Sequence, residues 1–393
     1  MSVRSFVFLC SWIEMVENQA LRLLIAGGGT GGHIFIGISL AEEWKRRTAG
    51  EVLFVGARGR LEERLVPKAG IPLELLKVSQ LKGVSMGTRL KNLFQLPASL
   101  LRCAGINRRF NPHVAIGVGG YSSGPAIVAA SLQRIPTMIV EPNAKPGITN
   151  RWLARFISIA AVAFTDAQPY FGRKTRLTGI PVRKEFFQAK PQAAESGAQA
   201  ARAGNGASTL LIFGGSQGSQ AINAVAAQAI PLLKREFPDL QVIHQTGEAE
   251  YAKYRKNAAD WWKIQPFIDH MSEVMASATV AVCRAGASTL AELSAAGKSA
   301  VLIPFPFAAD DHQTVNARSL EAKGAARVLP QSDLNAQSLF DAVAGLLRDP
   351  EGRRSMESAI REFSNPRSAE RIIDLALELV DENFTAKVQR AQE

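Results

Sequence analysis

LRLLIA (Leu21–Ala26) runs into GGGTGGH (Gly27–His33), and IFIGISLAEEWKRR (Ile34–Arg47) follows with helical spacing and a basic end. That order is strand, glycine loop, helix. It restarts at residue 209, where TLLIF (Thr209–Phe213) meets GGSQGS (Gly214–Ser219) and then a long amphipathic stretch, Gln220–Phe237. Further short apolar runs at Glu51–Ala57, Val114–Gly120 and Thr137–Pro142 alternate with helical segments, as do those at Gln241–Gly247, Val280–Gly286 and Ser299–Phe305. Such runs are strands of parallel sheets covered on both faces. The sequence therefore predicts an α/β protein of two Rossmann-like domains in series, their parallel sheets facing a central cleft.

Between the two halves, residues 188–207 (QAKPQAAESGAQAARAGNGA) lack apolar periodicity and read as a linker or exposed loop. The expected divisions are an N-terminal extension over 1–20, a first domain over 21–187, a second over 208–360 and a C-terminal helical segment over 361–393. In the extension, the apolar stretch Phe6–Ile13 is short, is interrupted by Ser11 and Trp12, and lacks a small-residue cleavage site. It reads as dispensable, with Met15 as an alternative start and an interfacial anchor as the other reading.

With 47% hydrophobic and 21% charged residues in 393, the chain has globular composition. No apolar run reaches the ~18 residues of a spanning helix. Cys10, Cys103 and Cys283 are as scattered as the five histidines, so neither disulfides nor a preformed metal site is expected. Net charge is +11 but unevenly divided: residues 1–190 hold 26 Lys+Arg against 11 Asp+Glu, and the rest hold 20 against 24. A nucleic-acid binder would not usually divide so. The basic half is expected to meet an anionic partner.

Gly27–Gly32 satisfies G-x-G-x-x-G, whose backbone N–H groups and following helix N-terminus favour phosphate. The pattern often marks a dinucleotide site, yet no acid ends the next strand, EVLFVGA; Arg58 and Arg60 keep an NADP reading open. His33 follows the loop, as a cleft base or as a structural cap. Gly214–Gly218 is a second phosphate-suited loop and lacks the lysine of a Walker A motif. In CRAGASTLAEL (Cys283–Leu293) a strand leads into a helix whose early turns carry Glu292, suited to accepting hydrogen bonds from ribose hydroxyls or standing as a solvated charge.

GGGTGGH, GVGGYSSGP, GIPVR, GGSQGS, HQTG, PFIDHM, CRAGASTLAEL and DDHQTVNA occur in one order. From about Leu21 to the C-terminus, the chain resembles the bacterial N-acetylglucosaminyltransferases that convert lipid I to lipid II in peptidoglycan synthesis. The resemblance implies a GT-B fold with UDP-N-acetylglucosamine held mainly by the second domain. It implies that Ser216 and Arg183 meet the diphosphate, the Ile268 backbone meets uracil, and Glu292 holds the ribose. Ala287, Ser288, Thr289 and Leu290 would line the helix opening, and Gln313 would hold sugar hydroxyls. Thr30, Gly31, Gly32 and Asn143 would approach from the first domain, with His33 and Glu141 as catalytic residues.

Three departures stand out. Ile36 replaces the proline of GGHxFP, Ile180 replaces the asparagine of GNPVR, and HEQN becomes Val140-Glu141-Pro142-Asn143. The lost histidine shifts weight to His33 as general base, since an ordinary imidazole pKa near ~6.5 suits neutral pH. No D-x-D triplet occurs, so a metal is not expected, nor any cofactor; helix N-termini, Ser216 and Arg183 would stabilise departing UDP. One inverting displacement by the muramoyl 4-hydroxyl follows from the family chemistry. The alternatives are a transferase to diacylglycerol, an NADP dehydrogenase and a non-catalytic UDP-sugar-binding subunit.

A lipid-linked acceptor implies the cytoplasmic face of the inner membrane, with a place in a cell-wall synthesis complex. Residues 64–109 fit an anionic surface: Arg64, Lys68, Lys77, Lys82, Arg89, Lys91, Arg102, Arg108 and Arg109 face a single acid, Glu74. Leu81, Leu90, Leu93, Phe94, Leu96 and Leu100 are interleaved with them. An interfacial patch and a solvated basic helix with its leucines in the core are the two readings.

Overall fold

The computed structural model describes residues 20–77, 86–189 and 208–392, with side chains omitted at 86–96 and 390–392. The expected extension (but for its last residue), most of the expected linker, and Leu81 and Lys82 lie outside the described residues.

The first domain holds a seven-stranded sheet: β1 (Arg22–Gly27), β2 (Glu51–Ala57), β3 (Leu73–Leu76), β4 (Val114–Gly119), β5 (Thr137–Glu141), β6 (Ile159–Val162) and β7 (Thr175–Leu177). Its order is β3-β2-β1-β4-β5-β6-β7, and every pairing is parallel. The second domain repeats the plan with β8 (Thr209–Phe213), β9 (Gln241–Gln245), β10 (Trp262–Gln265), β11 (Val280–Cys283), β12 (Ala300–Leu302) and β13 (Arg327–Val328), ordered β10-β9-β8-β11-β12-β13. In each sheet the order reverses beside the first strand, between β1 and β4 and between β8 and β11. Open α/β sheets bind ligands at that switch, beyond the carboxyl ends of the strands. Both glycine loops sit there.

The helices that matter to the site are α1 (Gly31–Thr48), α2 (Glu62–Lys68), α3 (Met86–Phe110), α4 (Ser123–Leu132), α5 (Ile148–Leu153), α6 (Gln220–Glu236), α7 (Ala287–Ala296), α8 (His312–Glu321) and α9 (Ser368–Gln392). β4 is buried along its whole length and β1 along all but its first residue, which is why their sequences read as unbroken apolar runs. Each fully buried Leu, Ile or Val there contributes ~1.5–3 kcal/mol. α1 docks through Ile34, Ile36, Leu40, Ala41 and Trp44. Ile36 is 2% exposed, so the side chain standing in place of proline is part of the first core.

The C-terminal helical segment does not stay with the second domain. α9 crosses back, and its Ile372, Ile373, Ala376 and Leu379 pack into the core built on β1, β4 and α1. Arg47 of α1 forms an ion pair with Asp374. Asn365, just before α9, donates to the Thr178 carbonyl at 3.0 Å, tying this crossing to the exit of β7.

In the basic segment, Arg102 and Arg109 of α3 pair with Glu74 of β3 at 3.5 and 3.1 Å. Leu100 packs against the first domain's core, while Leu101 is 75% exposed and Leu132 of α4 is 71% exposed. Among the described residues no helix is long and apolar enough to cross a membrane.

Candidate functional site

A cavity of about 290 Å³ lies between the domains, lined by α1, residues 180–183, the loop after β8, residues 267–271 and the opening of α7. Of the residues singled out from sequence, Gly31, Gly32, Arg183, Ser216, Ile268, Ser288, Thr289 and Glu292 line it.

On the first-domain side, Thr30 caps α1 by accepting from the His33 N–H. The His33 ring is held by its Nδ1, which lies 3.2 Å from both the Gly28 carbonyl and Thr30 Oγ1. A carbonyl only accepts, so Nδ1 carries the proton in that bond and Nε2 is left as the basic nitrogen. Nε2 faces Gly119, where φ is +98° and an added Cβ would stand 2.8 Å from it. Only glycine gives the ring that space in that backbone conformation. Burial pushes the imidazole below its ordinary pKa; the Gly28 bond opposes this and His312 of the second domain reinforces it. His33 is therefore neutral at pH 7 and fit to accept a proton.

Beneath the loop lies Glu62 of α2, fully buried. Its Oε1 accepts from the Ala57 N–H at 3.0 Å and its Oε2 from the Gly29 N–H at 3.1 Å. This carboxylate ties the end of β2 to the glycine loop. Leaving the buried Ala57 N–H unpaired would cost ~1–3 kcal/mol.

On the second-domain side, α7 begins at Gly286 with no side-chain cap. The N–H groups of Ala287, Ser288 and Thr289 thus lack intrahelical partners and, with the helix dipole, favour an anion. The Leu290 side chain is 1% exposed, packed in a core with Phe213, Ile268 and Phe186, and its N–H is donated to the Gly286 carbonyl. It shapes the helix and offers a ligand nothing. Ser288 and Glu292, one turn apart, share the cleft face. Burial raises the Glu292 carboxyl to about 7, against the pull of Arg183, whose Nη2 is 3.6 Å away. Arg183 also pairs with Glu185 at 2.8 Å, and its guanidinium stands 4.9 Å from the Phe186 ring and 5.9 Å from Phe35. The two groups expected at diphosphate and ribose thus neutralise each other here.

Ser216 is exposed at the tip of the second glycine loop. Gln245, buried at the end of β9, donates to the Gly215 carbonyl (2.9 Å) and accepts the Ile268 N–H (2.8 Å). Of the Ile268 backbone expected at uracil, the N–H is thereby taken and the carbonyl remains. Arg284 braces the loop from below through Ser219 Oγ (2.7 Å), Gln331 Oε1 (2.7 Å) and the carbonyls of Ile303 and Pro304. Burial lowers its pKa to about 10, so it remains charged.

Two residues expected in the site serve a loop instead. Glu141 is 1% exposed; its Oε1 accepts from the Asn143 N–H and Nδ2 (2.9 and 3.0 Å), and its Oε2 from the Gly147 N–H and Asn150 Nδ2 (3.2 and 2.8 Å). Burial still raises its pKa. With both oxygens engaged, Glu141 pins the loop after β5 and is not placed to take a substrate proton. Asn143 donates to Glu141 and accepts from Asn316 of α8 (3.1 Å), so it joins the domains and lines no part of the cavity. Gln313 accepts the Phe305 N–H at 3.0 Å and keeps its amide NH₂ near Gly286. Thr30, His33, Ala287 and Gln313 flank the cavity without lining it.

Residues 23–162 match the glycosyltransferase family 28 N-terminal domain and residues 209–372 the glycosyltransferase family 28 C-terminal domain. A UDP-N-acetylglucosamine--N-acetylmuramyl-(pentapeptide) pyrophosphoryl-undecaprenol N-acetylglucosamine transferase of Anaeromyxobacter dehalogenans (strain 2CP-C) is 41% identical over 380 residues, covering 95% of this chain and 97% of that one. The chain belongs to glycosyltransferase family 28. A second family 28 relative of the same description, from Myxococcus xanthus (strain DK1622), is 41% identical over 92% of this chain and 93% of its own. The crystal structure of Acinetobacter baumannii MurG superposes with a TM-score of 0.74 at 27% identity, covering 91% of this chain and 99% of that one.

Within this family 28 site, Glu62, Gln245, Arg284 and Asn316 were not singled out from sequence. Gln245 and Arg284 lie inside the quoted motifs HQTG and CRAG, and Asn316 inside DDHQTVNA. Membership of a motif was the available signal; a support role beneath a loop leaves none of its own.

Proposed function

We propose that this enzyme transfers N-acetylglucosamine from UDP-N-acetylglucosamine to the muramoyl 4-hydroxyl of lipid I, inverting the anomeric centre and giving lipid II and UDP. The observation that carries the site assignment is the two-domain cavity in which the uncapped N-terminus of α7, Arg183, Ser216 and Glu292 converge. Arg183 and Ser216, with the Ser288 and Thr289 N–H groups, take the diphosphate and hold the charge that develops on leaving UDP. Glu292 accepts from the ribose hydroxyls once Arg183 has turned to phosphate. The Ile268 carbonyl meets uracil and the Gln313 amide meets the sugar. His33 Nε2 removes the acceptor proton, with Gly31 and Gly32 admitting the acceptor to the cleft.

The lipid-linked acceptor brings the first domain to the cytoplasmic face of the inner membrane. Arg64, Lys68 and the basic stretch of α3 attract anionic headgroups, and Leu101 and Leu132 supply exposed apolar surface. A place in a cell-wall synthesis complex fits the same surface. Transfer of labelled N-acetylglucosamine from UDP-N-acetylglucosamine to a lipid I analogue, with and without EDTA, tests the proposal. Turnover unaffected by EDTA is expected. No transfer by folded enzyme would overturn the acceptor, and loss of turnover in EDTA would overturn the metal-free diphosphate site.

A further inference from the structure

Beside the cavity runs a second set of contacts between the domains. Asn316, fully buried on α8, accepts the Ala144 N–H at 2.8 Å and donates from Nδ2 to Asn143 Oδ1 (3.1 Å) and the Ala285 carbonyl (3.4 Å). One amide thus holds the first domain's loop after β5 to the residue that leads into α7. Across the same seam Arg151 of α5 forms an ion pair with Asp310, just before α8, at 3.4 Å.

Both flanks are braced. The loop over 142–150 is fixed by the four hydrogen bonds that Glu141 accepts. On the other side Asp310 and Asp311 both adopt φ of 56°, a conformation disfavoured for non-glycine residues by on the order of 1–2 kcal/mol. Such backbone persists where surrounding contacts over-determine it, and clusters at clamps and switches. Asn143 and Asn316 spend their side-chain amides on each other, on Glu141 and on backbone, and Arg151 is paired with Asp310, so their effect on transfer passes through the elements they join.

We propose that Asn316 and the Arg151–Asp310 pair are positioning residues, forming a clasp that sets how far the His33 side of the cleft stands from α7. Its kinetic consequence rests on the transferase reading above; its structural consequence does not. The donor groups of α7, Ser216 and Gln245 belong to the second domain, and Arg183 is held to it by Glu292 and by Phe186, which packs in one core with Leu211 and Leu290. The donor site therefore stays together when the clasp opens, whereas the distance from base to donor does not. Misplacement of reacting groups by about 1 Å costs on the order of 100-fold in rate.

Arg151→Glu, Arg151→Lys and Asn316→Ala test this through three readouts: kcat, the calorimetric Kd for UDP-N-acetylglucosamine, and the radius of gyration from small-angle scattering. Arg151→Glu sets like charges across the seam and is expected to raise the radius of gyration and lower kcat by about 10- to 100-fold, with Kd within about twofold of wild type. Arg151→Lys, which keeps the charge, should recover both properties, and Asn316→Ala should resemble Arg151→Glu. If Asn316→Ala fails to fold, the two variants at the partly exposed Arg151 decide between the outcomes. A Kd that rises in step with the loss of kcat, an Arg151→Lys no better than Arg151→Glu, or an Arg151→Glu with unchanged kcat and scattering overturns the clasp. Failure of the transferase reading alone would appear as wild-type enzyme without turnover whose scattering still responds to Arg151→Glu.

Discussion

Gly32, in the first turn of α1, and Ser288, in the first turn of α7, belong to different domains and meet so closely that a Cβ at residue 32 would stand 2.2 Å from Ser288 Oγ. Two helix N-termini are thereby brought to one place. Each carries about half a positive charge, so their approach is electrostatically unfavourable until an anion lies between them. A diphosphate is such an anion. Glycine at 32 serves the approach of the domains as much as the loop's own geometry.

Gly32→Ala should therefore lower kcat by about tenfold, equivalent to ~1.4 kcal/mol. In a Ser288→Ala background, where the nearest remaining atom is Ser288 Cβ at 3.6 Å, the same change should cost less than about twofold. A double-mutant cycle measures the difference, and equal costs in both backgrounds would mean that the contact does not limit closure.

Glu292→Gln should raise KM for UDP-N-acetylglucosamine, because charge-assisted hydrogen bonds worth ~1.5–3 kcal/mol are lost. Burial holds this carboxyl at about 7, so wild-type affinity should climb between pH 6 and 8 as the group ionises. The diphosphate of the donor is a diester and does not titrate in that range, so the slope belongs to the protein and should vanish in Glu292→Gln. The stability sign is opposite: with its pKa raised on folding, Glu292 favours the native state below its ordinary carboxylate range and loses that contribution as pH rises through 7. Calorimetry across the series checks both.

His33→Ala should reduce kcat by about 10²–10⁴-fold with Kd for the donor little changed. Because burial lowers its pKa, the acid limb of the kcat profile should fall below pH 6.5, so turnover is lost only as pH drops through that depressed value. Near-normal turnover by a folded variant would remove His33 from proton transfer.

Lys82→Glu, Arg89→Glu and Lys91→Glu together should abolish sedimentation with anionic vesicles at low salt, where each basic group near the surface contributes about 1 kcal/mol. Wild-type binding should weaken as salt rises. Equal partition of wild type and triple variant would place the membrane face elsewhere on the first domain.

The two sheets and their loops were legible because a parallel strand buried on both faces leaves an unbroken apolar run, and a loop at the sheet's switch leaves glycines. Eight motifs in order did the rest. Leu290 and Asn143 show what sequence could not place: both were expected beside the donor, and the fold sends the Leu290 side chain to the core and the Asn143 amide to Asn316. Glu141 was legible as a special residue and not as a loop clamp, since its four donors are settled only by the folded loop. Glu62 and Asn316 act on backbone 33 and 172 residues away, separations at which no local spacing carries information.

The return of α9 to the first domain also orders events during synthesis. Ile372, Ile373, Ala376 and Leu379 belong to the core built on the first strands of the sheet, so the first domain waits for a helix made after the whole second sheet to complete its core. Domains made first usually finish first. Here the second domain, whose strands and main helices precede α9, can close its core before its elder neighbour does. The nascent protein thus exposes the apolar groove that α9 fills until Ser368–Gln392 has been made, and the two halves mature together.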